Sequence, residues 1–130
     1  FHSVYQFKEE NMGELTLAYK VRSYSTGTLG SAIWNARHHY FVADNSGGVA
    51  VGAGELFLSG IAACAVNMVE KIANDDNIPL EWMDVSVASY RDPDADHGEL
   101  NLYDGIRVNF EMWGVDDDQA HELVEIWKRR

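Results

Sequence analysis

The one cysteine of this 130-residue chain, Cys64, stands in the run Ile61-Ala62-Ala63-Cys64-Ala65-Val66, with Arg37 and Glu55 upstream of it. Those three residue types can together make a reactive thiol. The thiolate is the nucleophilic form, and apolar surroundings raise a cysteine pKa and silence it, so a reactive Cys64 needs a cation beside it. Arg37 is one candidate: a guanidinium is always charged and carries five donors in a fixed fork. It could hold the thiolate and hydrogen-bond a second reactant. Glu55 could hold that arginine in place as its carboxylate partner. Each residue also has a plainer reading. A cysteine in such a run is a small core hydrophobe, an arginine pairs weakly with surface carboxylates, and a glutamate early in a helix answers the helix dipole.

The elements that must position these residues follow from periodicity. Ser3–Glu9 and Glu14–Arg22 alternate apolar and polar residues around Asn11-Met12-Gly13, the pattern of a β-hairpin. Ser23–Ser31 reads as a Ser/Thr/Gly loop. Arg37 opens a strand that runs over His39–Ala43, and Asp44-Asn45-Ser46-Gly47-Gly48 is the turn after it. From Gly54 to about Asn74 apolar residues occupy nearly every face, which predicts a buried central helix. Asn77-Ile78-Pro79 ends it. Trp82–Arg91 and Ile106–Trp113 alternate again as antiparallel strands around an acidic connection, Asp92–Asp104. Asp116-Asp117-Asp118 supplies an N-cap and a negative first turn for a last helix over Ala120–Lys128, whose apolar face carries Leu123, Val124 and Trp127. The order β-β-β-α-β-β-α is α+β, with one domain over residues 1–130.

Helix geometry constrains the site. Cys64 follows Glu55 by nine residues, which sets them on opposite faces of an ideal helix and roughly 13 Å apart along its axis. Glu55 reaches its own Cys64 only if the helix bends or begins later, a bend that Gly60 would permit. Otherwise it serves the cysteine of a second copy. A helix apolar on all faces also has more surface than its own short strands can cover, so an obligate homodimer is expected.

Ten basic against twenty-one acidic residues give a net charge of −11. Such a surface repels phosphate backbones and anionic lipid, so neither nucleic acid nor a membrane is an expected partner. No run of about 18 uninterrupted apolar residues is present, so no span is expected. A lone cysteine excludes an internal disulfide framework and fits a reducing compartment, the cytoplasm. Five histidines raise the question of a metal. His38 and His39 are adjacent on the expected strand and point to opposite faces, and no spacing suggests a chelate. No metal and no cofactor is expected. The chain begins at Phe1 and stops at Arg130 within a helical pattern, so it reads as clipped at both ends.

The order of motifs from Arg37 resembles the osmotically inducible protein C / organic hydroperoxide resistance (OsmC/Ohr) family. That pattern runs Arg-x-His, a short apolar strand, Asp, a Gly-Gly loop, Glu-Leu-Leu/Phe, then a helix with Ala-x-Cys. Arg37, His39, Asp44, Gly47, Gly48, Glu55, Leu56 and Cys64 fall on it in order. The resemblance implies an intertwined homodimer, a curved antiparallel sheet on a long buried helix, and a reactive cysteine at the subunit interface. It implies a thiol-dependent peroxidase in oxidative-stress defence, with Cys64, Arg37 and Glu55 as catalytic residues. The substrate is a small organic hydroperoxide or hydrogen peroxide, and the reductant an external thiol. Arg22 competes with Arg37, because one branch of the family carries its arginine earlier, after a Gly-Gly pair that is Lys20-Val21 here. Two departures stand out: Ala53-Gly54 replaces the family's proline, and the second, resolving cysteine does not occur in these residues. The family places it about where this sequence stops at Arg130, so either it follows Arg130 or the protein is a one-cysteine or inactive variant. That absence supports an alternative, a non-catalytic OsmC-like dimer binding a small hydrophobic molecule in its interface pocket. A plain structural or partner-binding domain is the third reading.

Overall fold

A computed structural model of the chain describes residues 15–45, 50–98 and 103–130. Its elements are β1 (Arg22–Ser25), β2 (Ser31–Ala36), β3 (His39–Asp44), α1 (Ala53–Asp75), β4 (Trp82–Tyr90), β5 (Gly105–Trp113) and α2 (Asp117–Lys128). From β3 onward the elements fall where they were predicted, β1 and β2 do not, and the strands among the described residues are all antiparallel. They form two sheets, β1-β2-β3 and β4-β5.

The C-terminal body is built as the alternation and capping signals require. β4 and β5 pair along nine residues from Trp82 opposite Trp113 to Tyr90 opposite Gly105. Asp116 caps α2, its carboxylate accepting the Gln119 N–H at 2.8 Å while the Gln119 side chain accepts the Asp116 N–H at 3.1 Å. Two orphan amides of the first turn are thereby satisfied. The core lies between these elements: Val69, Ile72 and Ala73 of α1 pack with Met83 of β4 and Leu123 of α2. Phe110 and Trp127 meet edge to face at 5.1 Å on its border. Gly114, at φ 88°, turns the chain out of β5. A Cβ there would sit 2.5 Å from the carbonyl oxygen of Pro79, so both the left-handed backbone and the close approach demand glycine.

The N-terminal half departs from expectation. Ser3–Glu9 and the Asn11–Gly13 turn lie outside the described residues. Among the described residues Leu15–Val21 joins no strand ladder, and Leu15, Leu17, Tyr19 and Val21 are exposed at 70%, 74%, 94% and 70%. Alternation alone makes no strand without a partner ladder. The first strand among the described residues, Arg22–Ser25, instead lies mostly inside the segment read as a loop, with Tyr24 opposite Ile33. The hydroxyls that suggested a loop serve the turn that follows: Ser25 Oγ accepts the Gly27 N–H at 3.0 Å and Thr26 Oγ1 the Thr28 N–H at 3.2 Å.

Arg37 is not in a strand. It and His38 form the two-residue turn joining β2 to β3, where Ala36 pairs with His39. Both residues are left-handed, Arg37 at φ 56° and His38 at φ 106°. Tight hairpin turns want this conformation, yet usually recruit Asn or Gly for it. His38 therefore sits in the turn, not beside His39 on a strand.

The helix α1 matches its predicted span, but its burial is one-sided. Only Ala65, Val69, Ile72 and Ala73 are buried, while Phe57 is 57% exposed and Cys64 is exposed. By length and composition alone α1 could cross a bilayer. Its C-terminal half nevertheless packs as a core helix.

Two glycine substitutions of opposite direction test this backbone. Gly114→Ala should cost about 2 kcal/mol or more, from left-handed strain plus the Pro79 clash. His38→Gly should gain up to about 1 kcal/mol by relieving strain in the turn, offset in part by glycine's entropy. Urea midpoints of the two variants check both signs.

Candidate functional site

The candidate residues are held by three different pieces of the fold. Cys64 lies near the middle of α1 on the side turned away from the core. Phe57, seven residues earlier, shares that face, so the thiol stands at the end of an apolar, uncovered stripe. Glu55 lies in the first turn, and its Oε1 accepts the Gly52 N–H at 3.0 Å. Asn45 Oδ1 accepts the neighbouring Ala53 N–H at 2.7 Å, and the Asp44 N–H donates to the Val51 carbonyl at 2.9 Å. These bonds fasten the end of β3 to the start of α1. Glu55 thus does what an acid at a helix start does, satisfying an orphan amide. It also borders a shallow groove with Leu58, Ser59, Ala62 and Val87.

Because α1 begins at Ala53 and runs unbroken to Asp75, the later start that would bring Glu55 to its own Cys64 does not occur. The two are roughly 13 Å apart along the axis, on different faces. Arg37 is exposed at the tip of the β2–β3 hairpin. Arg22, its competitor, opens β1, its guanidinium 4.9 Å from the centre of the Tyr24 ring. Both arginines line one cleft of about 550 Å³ with Leu17, Tyr19 and Val21. No hydrogen bond or ion pair joins Cys64, Arg37, Arg22 and Glu55 among the described residues. Within a single chain the structure brings the two arginines together and leaves the thiol apart from them.

One further contact bears on the start of α1. The Tyr103 hydroxyl lies where a Cβ on Gly54 would be only 3.2 Å away, so the β4–β5 connection rests on the first turn. Arg91 sits 5.5 Å from the Tyr103 ring centre. The next residue, Asp104, ties this connection: its carboxylate accepts the Asp92 N–H at 2.6 Å and lies 2.9 Å from His97 Nε2. Neither Tyr103 nor Asp104 carried a functional signal in the sequence, where both fell in a polar, acidic linker. Among the described residues no three His, Cys, Asp or Glu side chains are grouped to hold a metal ion.

An α+β chain with one free thiol on a long helix, followed by a β-hairpin and a capped C-terminal helix, defines a recognisable class. A family model for OsmC-like proteins matches residues 44–130, about two-thirds of the sequence, and the chain belongs to that family. Cys64 and Glu55 lie inside the match and both arginines outside it. Solved structures share the fold at low identity. An OsmC-like protein from Mycoplasma pneumoniae is 15% identical with a TM-score of 0.77, over 89% of this chain and 84% of that one. The organic hydroperoxide resistance protein OsmC from Legionella pneumophila is 19% identical with a TM-score of 0.60, over 86% and 82%. The organic hydroperoxide resistance protein OhrB of Bacillus subtilis is 20% identical with a TM-score of 0.60, over 84% and 82%. No curated protein matches the chain at a significant level.

Asp104 gives the connection a defined pH response. The Asp92 N–H first, then His97, favour its ionised form and hold its pKa below the ordinary 3.8. A carboxyl depressed on folding contributes stability above its unfolded pKa and loses it as pH falls through the folded value. The Asp104 carboxyl should therefore titrate below pH 3.8 by carbon-detected NMR, and Asp104→Asn should remove that part of the acid-side stability loss. A midpoint at or above the ordinary value would contradict the observed bonding.

Proposed function

We propose that this protein is a thiol-dependent peroxidase whose site is completed by a second copy of the chain. The observation that carries the reading is the exposed Cys64 at the end of the Phe57 stripe, on the one helix of an OsmC-family chain that carries a thiol. A structural cysteine belongs in the core; this one faces outward. Arg37 and Arg22 are cations without an acidic partner among the described residues, and Glu55 lies too far along α1 to serve its own Cys64. A homodimer that covers the outer face of α1 would remove Phe57 from water and let one copy's arginine and Glu55 approach the other's thiol.

In the proposed reaction the Cys64 thiolate attacks the distal oxygen of R–O–O–H. The S–O bond forms as the O–O bond breaks, and sulfur is oxidised by two electrons while the peroxide is reduced by two. The alkoxide leaves as an alcohol after taking a proton from water, and Cys64 is left as sulfenic acid. The arginine stabilises first the thiolate and then the charge on the leaving oxygen. An external thiol then attacks the sulfenic sulfur and releases water. A second equivalent frees Cys64 and carries away the disulfide. The apolar stripe favours an organic hydroperoxide over hydrogen peroxide.

These 130 residues hold one cysteine and so offer no second thiol for a disulfide within them. Given excess cumene hydroperoxide and no thiol, it should gain successive oxygen atoms on Cys64 by intact mass, and Cys64→Ser should gain none at that position. Added dithiol should hold Cys64 reduced and sustain turnover. If Cys64 stays unmodified, the peroxidase reading is wrong and the non-catalytic dimer binding a small hydrophobic molecule replaces it.

A further inference from the structure

The cleft between the 17–22 segment and the tip of the β2–β3 hairpin gathers positive charge with no carboxylate in its lining. Of the twenty-one acidic residues, Asp44 alone falls within residues 15–45, whereas Lys20, Arg22 and Arg37 are the lysine and arginines of that span. All three line the same cleft. None makes an ion pair among the described residues, where the pairs found are Lys71–Asp75, His97–Asp104 and Lys128–Glu125. In a chain of net charge −11, three cations gathered without a carboxylate among them are a local exception to the composition.

Apart from Asn35, the rest of the lining is apolar or aromatic. Leu17, Tyr19 and Val21 form one wall, and a volume of about 550 Å³ lies within the range of small-molecule sites, roughly 300–1,000 Å³. The hairpin tip adds an independent observation. Arg37 and His38 both hold left-handed backbone, a conformation that costs side-chain-bearing residues on the order of 1 kcal/mol or more each and that persists where surroundings or function hold it. Asn-Gly would make the same turn without that strain. The strained tip delivers a guanidinium to the mouth of the cleft.

We propose that this cleft binds an organic monocarboxylate. Its apolar body would lie along Leu17, Tyr19 and Val21, and its carboxylate would be received by Arg37 and Arg22 with Lys20 beside them. Arginine's fork matches a carboxylate with two parallel hydrogen bonds, and Lys20 adds an undirected charge. The site goes beyond the peroxidase reading and stands whether or not Cys64 reacts. If both hold, an occupied cleft withholds Arg37 from the thiol and a carboxylate acts as an inhibitor.

Calorimetric titration of the full chain with monomeric sodium octanoate tests it, with 1-octanol and sodium acetate as probes lacking the charge and the apolar body. Octanoate should bind at least about tenfold more tightly than either, and its affinity should fall as salt is raised. Arg22→Ala should weaken octanoate about tenfold, the loss expected for one charge-assisted hydrogen-bonded pair, and Lys20→Ala should weaken it less. Lys71→Ala, on the far half of α1, should change nothing. Absence of octanoate binding, equal binding of octanol, or an equal loss in Lys71→Ala would overturn the proposal. The salt series needs no substitution and decides the matter even if a variant disturbs β1. Failure here leaves the oxidation of Cys64 untouched, so the two readings fall separately.

Discussion

The structure depends on one helix that is apolar on more faces than its own chain covers. The C-terminal half of α1 buries Val69, Ile72 and Ala73 against Met83 and Leu123, and fully burying one such aliphatic side chain is worth about 1.5–3 kcal/mol. That contact aligns the β4–β5 hairpin, seats α2 and fixes which way α1 is rotated. Once the rotation is fixed, the other side of the helix must carry Phe57 and Cys64 outward. The exposure of the thiol is thus a consequence of core packing, not a local accident.

The same surplus of apolar surface recurs on the N-terminal sheet. Tyr40, Phe41 and Val42 are successive residues of β3 and each is about half exposed or more, so the described residues leave both faces of this strand partly open. Trp34 stacks on Phe41 at 4.4 Å, a contact within the sheet and not across a core. Uncovered faces on both sheet and helix are what the proposed homodimer would unite. The family match carries Cys64 and Glu55, since it begins at Asp44. The arginines rest instead on the cleft they share.

What the sequence revealed depended on how local each signal was. β4, β5 and α2 were legible almost to the residue, because alternation and an Asp116 cap act within a few positions. β1 was hidden by its composition: Arg22-Ser23-Tyr24-Ser25 looks like a loop until β2 offers a ladder. The β2–β3 turn was hidden because Arg37 and His38 lack the glycine or asparagine that advertises left-handed backbone. The candidacy of Cys64 followed from its being the lone cysteine and from the order of motifs around it, and the remoteness of Glu55 from helix arithmetic. The meeting of Arg22 and Arg37 in one cleft did not follow, since they stand fifteen positions apart with the β1–β2 turn between them. Burial of α1 was overestimated for a related reason: an apolar periodicity states what a surface wants, not which molecule supplies the cover.

The central claim is that a second copy supplies it. Sedimentation equilibrium of the reduced chain at micromolar concentration tests this most directly, because a face of this apolar content belongs to interfaces of the obligate kind. A single species of twice the chain mass is expected, with no monomer appearing on dilution through the micromolar range. A stable monomer at those concentrations would contradict it, and with it the shared site that joins one copy's arginine and Glu55 to the other's Cys64.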